Sequence, residues 1–276
     1  MGFKRLFGIG DPDEAIEVDT QILGPVYPGG DVRGEVILRG GSRDMPLHSV
    51  YLRISARCTG YDGEERDYEF DTCSARPSNF TLGKGEEKRL TFAERLSWET
   101  PVSELGGQAL GVVLSVKSQL YRDWNHDPTD VDNDLLHISA LPLHETVMDA
   151  FAEEGYYCDS AYVVDSYVPN TEQHRGFHQA FVLADRAPGP GRPAQLEVVF
   201  QTNVVGALIH VRRAAPDVRD WDSKPPARRF TAAHHEAGHV DWRPQIRKTL
   251  GEVLADPVAK PLPAPKRRPR ARRTAA

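Results

Sequence analysis

Hydrophobic and polar residues alternate with a period of two through much of the first half of the chain. The clearest stretch runs from Tyr27 to Gly41, where a Pro-Gly-Gly turn leads into Val32, Gly34, Val36 and Leu38 on one face. Arg33, Glu35 and Arg39 point the other way, with Ile37 the apolar exception. Such alternation, bounded by a tight turn and by Gly40-Gly41, predicts a half-buried strand. Ile16 to Ile22 is its hairpin partner, and Val50 to Cys58 alternates in the same way. Tyr68 to Cys73 reads as a shorter, more polar edge strand. Phe80 to Leu82, Leu90 to Leu96, Val112 to Gln119 and a closing run from Leu135 to Leu141 continue the series. Short strands separated by turns, with almost no helix, predict an antiparallel sandwich.

After Pro142 the pattern changes. His144 to Glu154 has helical spacing, with Gly155 placed to end it. Weaker strands follow at Tyr162 to Val168, Phe177 to Leu183, Leu196 to Phe200 and Ala207 to Val211, and Phe230 to His234 reads as a last one. From Asp241, a good N-cap, Trp242, Ile246, Leu250, Val253 and Leu254 fall on one helical face. The expected fold is mainly β: two antiparallel β-sandwich units with a short linker helix and a C-terminal amphipathic helix. The expected divisions are residues 1–142, residues 143–256 and a disordered basic tail over 257–276.

Composition narrows this little. With 276 residues, 27% charged and 39% hydrophobic, the chain has the balance of a soluble globular protein. Met1 to Gly10 is too short and interrupted for a secretory signal and reads as a capping segment on the sandwich. Cys58, Cys73 and Cys158 are widely spaced and odd in number, which suits a reducing cytoplasm rather than a disulfide framework. The net charge of -6 is unevenly placed. Residues 257–276 hold seven cations and no acid, so the remaining body carries -13 (-6 minus 7). An acidic body argues against nucleic-acid binding by the globule itself.

Three stretches together resemble a known family. They are the Pro28-Gly29 hairpin with Gly34, Gly40 and Gly41, the run from Gly85 to Trp98-Glu99-Thr100-Pro101, and the acidic turn holding Asp127, Asp130, Asp132 and Asp134. In order and spacing they are similar to the SpoOM sporulation-control family, whose members resemble arrestins. The resemblance implies two arrestin-like β units and a cytoplasmic regulatory role in bacterial development, without catalysis. It covers residues 3 to 143 well and extends more loosely through the Asp241 helix.

The sharpest chemical motif lies outside that core. His235-Glu236-Ala237-Gly238-His239 spells H-E-x-x-H. On a helix, His235 and His239 would share a face and could bind zinc, with Glu236 as general base on zinc-bound water. A third ligand is wanting: only Glu252 and Asp256 follow, on or after the next helix, and no catalytic domain surrounds the motif. His234, His235 and His239 could bind metal adventitiously, but a structural turn before the Asp241 cap is the reading preferred. Asp123 to Asp134 imitates a calcium loop but has Pro128 where that loop needs Gly. There is no G-x-S-x-G and no phosphate loop. The tail residues Lys266, Arg267, Arg268, Arg270, Arg272 and Arg273 could meet nucleic acid or an anionic membrane through phosphates, without aromatics for stacking.

The expectation is therefore a cytoplasmic, non-enzymatic regulator or scaffold without a cofactor. Its partners are proteins, with a homo-oligomer also open. A peptide could add at an exposed strand edge, Tyr68 to Cys73 being a candidate, or enter the groove between the two units. The rival is a zinc-dependent hydrolase.

Overall fold

The structure, a computed structural model, describes residues 5–7, 16–60, 63–123, 129–187, 193–215 and 220–255. Its strands are β1 (Arg5–Phe7), β2 (Ile16–Ile22), β3 (Asp31–Arg39), β4 (Met45–Leu47), β5 (Ser49–Thr59), β6 (Glu65–Ala75), β7 (Phe80–Leu82) and β8 (Glu87–Arg95). They continue with β9 (Glu104–Leu105), β10 (Gln108–Ala109), β11 (Leu114–Tyr121) and β12 (Thr129–Leu135). Helix α1 (Pro142–Glu153) follows. Then come β13 (Tyr156–Val164), β14 (His178–Asp185), β15 (Gln195–Thr202), β16 (Gly206–Arg213), β17 (Arg228–Ala233) and helix α2 (Arg243–Ala255).

The β2–β3 hairpin lies inside a four-stranded antiparallel sheet ordered β1-β2-β3-β8. Its inward residues Val18, Val32, Val36, Leu38 and Leu90 share a core with Leu52, Ile54, Leu114 and Val116 of β5 and β11. Each such buried side chain contributes roughly 1.5–3 kcal/mol, which locks the period-two register. β5 is flanked by β11 and β6, with β12 beyond β11. β13 to β17 form an antiparallel run in chain order, and one parallel bridge, Val164 to Thr59, joins it to β5. α1 and α2 add Leu143, Val147, Phe151, Ile246, Leu250 and Val253 to the same apolar cluster as Phe181, Leu196, Val198 and Ile209. This is the mainly β fold class the sequence predicts, with one helix between the halves and one at the end.

Several boundaries move. The closing strand placed at Leu135 to Leu141 lies earlier, at Thr129–Leu135. The acidic run read as a turn is therefore strand from Thr129 onward, while its start at residues 124–128 lies outside the described residues. The reason is tertiary: Asp132 is buried and accepts the backbone N–H of Thr20 at 2.8 Å, tying β12 to β2. The strand placed at Tyr162 to Val168 begins six residues earlier, at Tyr156 (162 minus 156), and stops at Val164. β6 is an edge strand, as the sequence suggests, but spans 11 residues. The tail from residue 256 lies outside the described residues, as do most of Met1 to Gly10.

Candidate functional site

Three motifs from distant parts of the chain meet at Trp98. Gly29, in the turn before β3, has φ +70°, and a Cβ built on it would lie 2.3 Å from Trp98 Cδ2. Only glycine lets the indole lie flat on that turn. The other ring contact is His234, stacked with Trp98 at a centroid separation of 5.0 Å. His234 Nε2 donates to the carbonyl of Asn203 at 2.8 Å, in the β15–β16 turn. Asn203 Oδ1 in turn accepts from the N–H groups of Val205 and Gly206 at 2.9 and 3.1 Å. The next residue, Glu99, binds the β13–β14 loop. Its carboxylate lies 2.8 and 3.0 Å from the N–H of His174 and 2.7 Å from that of Arg175. The segment Trp98-Glu99 thus fastens the first half of the chain to two loops of the second.

These contacts border an open cleft of about 520 Å³, walled by Trp98, Glu99, Asn170, His174, Asn203 and Val204. Val204 stands 71% exposed at its rim. Behind it lies a cavity of about 30 Å³ lined by Thr100, His144, Gln173, His178 and Phe200 among others. Thr100 Oγ1, His144 Nδ1 and His178 Nε2 are buried there without a hydrogen-bond partner among the described residues. His178 Nδ1 lies 3.0 Å from the carbonyl of Ser166 and so must carry the proton, leaving Nε2 a bare acceptor. Burial pushes His144 down to about 3 and His178 down to about 4, so both are neutral at pH 7. The cavity suits a water molecule more than a reacting group.

Deeper still is a buried ion cluster. Glu197 accepts from Arg212 Nε at 2.8 Å and Nη2 at 2.5 Å, from Lys224 Nζ at 2.6 Å and from Tyr162 OH at 2.5 Å. Burial opposes the charge on Glu197, but Arg212 and Lys224 outweigh it and hold the carboxyl below its ordinary value. The Arg212 guanidinium lies 3.8 Å over the Trp221 ring, which also makes T-shaped contacts with His178 and His210. Every carboxylate oxygen in this cluster is satisfied by the protein itself, which makes it structural.

The H-E-x-x-H residues do not form a helical face. His234–Glu236 is a single 3-10 turn, and Gly238 at φ +72° breaks the backbone between Glu236 and His239. Glu236 Oε2 accepts from the N–H of Ala233 at 2.7 Å, while His235 and His239 point to solvent. Glu252 lies on α2, and Asp256 is outside the described residues. Among the described residues no group of three or more His, Cys, Asp or Glu is placed to hold a metal ion. α2 begins at Arg243 with Trp242 at its cap position, so Asp241 lies one residue earlier than expected, where it accepts the N–H of Arg243 at 3.1 Å. The β6 edge is partly taken. A bulge leaves Phe70 unpaired with β5, and Arg175 donates to its carbonyl and reaches Asp71 at 2.6 Å. Lys266, Arg267, Arg268, Arg270, Arg272 and Arg273 lie outside the described residues.

A family model described as SpoOM protein matches residues 3–211. The chain belongs to the SpoOM family. It is similar to the sporulation-control protein spo0M of Bacillus subtilis (strain 168), 28% identical over 266 residues that cover 91% of this chain and 97% of that protein. The crystal structure of Spo0M from Bacillus subtilis superimposes with a TM-score of 0.69 at 22% identity, covering 87% of this chain and 97% of the other. At that identity the likeness speaks for the fold. The family match includes Gly29, Trp98 and Glu99 but ends before β17 and the H-E-x-x-H turn. No described helix is long and apolar enough to cross a membrane. Sequence reasoning found Trp98 and Gly29 only as family marks. Nothing in the spacing showed that they touch each other and His234.

Proposed function

We propose that this chain is a regulatory protein of the sporulation-control kind, acting in the cytoplasm by holding a protein partner in the cleft beside Trp98 rather than by catalysis. The observation that carries this is the shape of the H-E-x-x-H turn. Glu236 caps the end of β17, and Gly238 breaks the backbone before His239, so His235 and His239 share no helical face. What the chain presents instead is an open, largely polar cleft with Trp98 on its wall and the exposed Val204 at its rim, where a partner could bury both apolar side chains.

The test is affinity capture from native cells with the full chain and with Val204→Asp. The side chain is exposed, so the fold should survive and the captured partner should be lost. Capture unchanged in the variant would remove the cleft from the proposal. The hydrolase rival is tested on protein purified without a histidine tag. Stoichiometric zinc lost on replacing His235 and His239, with hydrolysis lost in Glu236→Gln, would overturn the non-catalytic reading.

A further inference from the structure

The hydrogen-bond phase of β17 can be read from its neighbours. His234 donates its N–H to the carbonyl of Val205, so that pair is hydrogen-bonded across the β16–β17 ladder. In the register Gly206↔Ala233 to Val211↔Arg228, bonded and non-bonded pairs alternate. Ala232, Phe230 and Arg228 therefore bond to β16, while Ala233, Thr231 and Arg229 turn their N–H and C=O groups outward. Ala233 confirms the phase, because its N–H is taken by Glu236 from the outer side. Beyond that cap, Thr231 and Arg229 leave four backbone groups facing away from the sheet, on two residues whose side chains are exposed. Among the described residues β17 pairs only with β16.

The other edges compare poorly. β6 is occupied at its bulge by Arg175, and β12 is tied to β2 through Asp132. β17 also differs in charge. Arg229 makes no ion pair among the described residues, and Arg228 precedes it on the opposite face, within a body whose excess charge is negative. An arriving strand would set alternate side chains beside each arginine.

We propose that β17 is a docking edge for an extended acidic segment of a partner protein, which adds to the sheet beside Arg229 and Thr231 with its register stopped by Glu236. Main-chain bonds supply affinity and Arg229 selects for acids. This rests on reading the chain as a protein-binding regulator and adds a contact separate from the cleft.

The experiment uses the full chain and a short fluorescein-labelled peptide of alternating valine and glutamate, followed by anisotropy at low salt. Saturable binding is expected, with little or none for the valine–lysine counterpart. Thr231→Pro removes an outward N–H that the ladder does not use, and proline is tolerated at such edge positions. Thr231→Pro and Arg229→Glu should each weaken binding about tenfold or more. A valine–glutamate peptide N-methylated at alternate amides should fail on the unaltered protein, a result that does not depend on any variant folding. No saturable binding up to about 1 mM, equal binding by the methylated peptide, or binding unmoved by both variants would overturn the proposal. Self-association of the chain abolished by the same variants would overturn it in favour of a second copy. Loss of the native partner in Val204→Asp, with its retention in Thr231→Pro and Arg229→Glu, would leave the proposed function standing and remove this edge.

Discussion

Gly29 and Gly24 separate two effects that glycine usually confounds. Both have positive φ, +70° and +79°, but a Cβ at Gly24 meets nothing within 4 Å, whereas one at Gly29 enters the Trp98 ring. Gly24→Ala should therefore cost about 1 kcal/mol, the backbone penalty alone. Gly29→Ala should cost roughly 2–4 kcal/mol, because the indole must also leave its seat. Urea denaturation of the two variants measures the difference, and equal losses would show that Trp98 yields freely. The glycine was legible in the sequence as a turn. Its reason was not, since the ring that requires it lies in a distant turn, after β8.

The same division runs through the elements. Alternation located β2, β3 and β5 closely because in each one face is drier than the other. It failed at β12, whose Thr129-Asp130-Val131-Asp132-Asn133-Asp134 composition disfavours a strand. There a buried Asp132 bonded to Thr20 supplies what propensity does not. It also failed at the start of β13, where Tyr157, Cys158 and Ser160 are all half-buried and give no contrast. The turn after β17 carries the sharpest prediction at this scale. If Glu236 caps the outward N–H of Ala233, Glu236→Gln keeps an acceptor and should leave stability within about 0.5 kcal/mol, while Glu236→Ala should lose about 1 kcal/mol. Thermal or denaturant unfolding decides between them. Comparable losses in both variants would point to a need for charge rather than for an acceptor.

For the whole molecule, pH is the informative axis. His144, His178 and His210 are pushed down to about 3, 4 and 4, chiefly by burial, and all lie in the second half of the chain. Their ordinary value is near 6.5, so on acidification the unfolded chain takes up protons that the folded chain refuses. Stability should fall as pH drops from about 6.5 to about 4, with each fully buried histidine contributing on the order of 3 kcal/mol across the window. Glu197, held below its ordinary value, adds a loss of the same sign at lower pH. Asp134 works the other way. Burial and then Asp132 raise it to about 6, so its contribution is present in acid and fades as pH rises toward 6. Unfolding free energies measured between pH 4 and 7 should therefore slope upward with pH. The slope should shrink in His178→Gln, and a flat profile would mean that the histidines are hydrated in the folded state.

The stack of Gly29, Trp98 and His234 also has a consequence for the order of events at the ribosome. The strands β1 to β12 find their ladder partners among themselves, apart from the one bridge to Val164, so that half can condense while the rest is still being made. Trp98 and Glu99 must wait, because the loop that binds Glu99 and the turn that carries His234 emerge only later. Until then the indole has one wall instead of two. Synthesis of β17 and the turn after it is thus the step that closes the stack, and a pause before it would hold Trp98 open to chaperones and proteases.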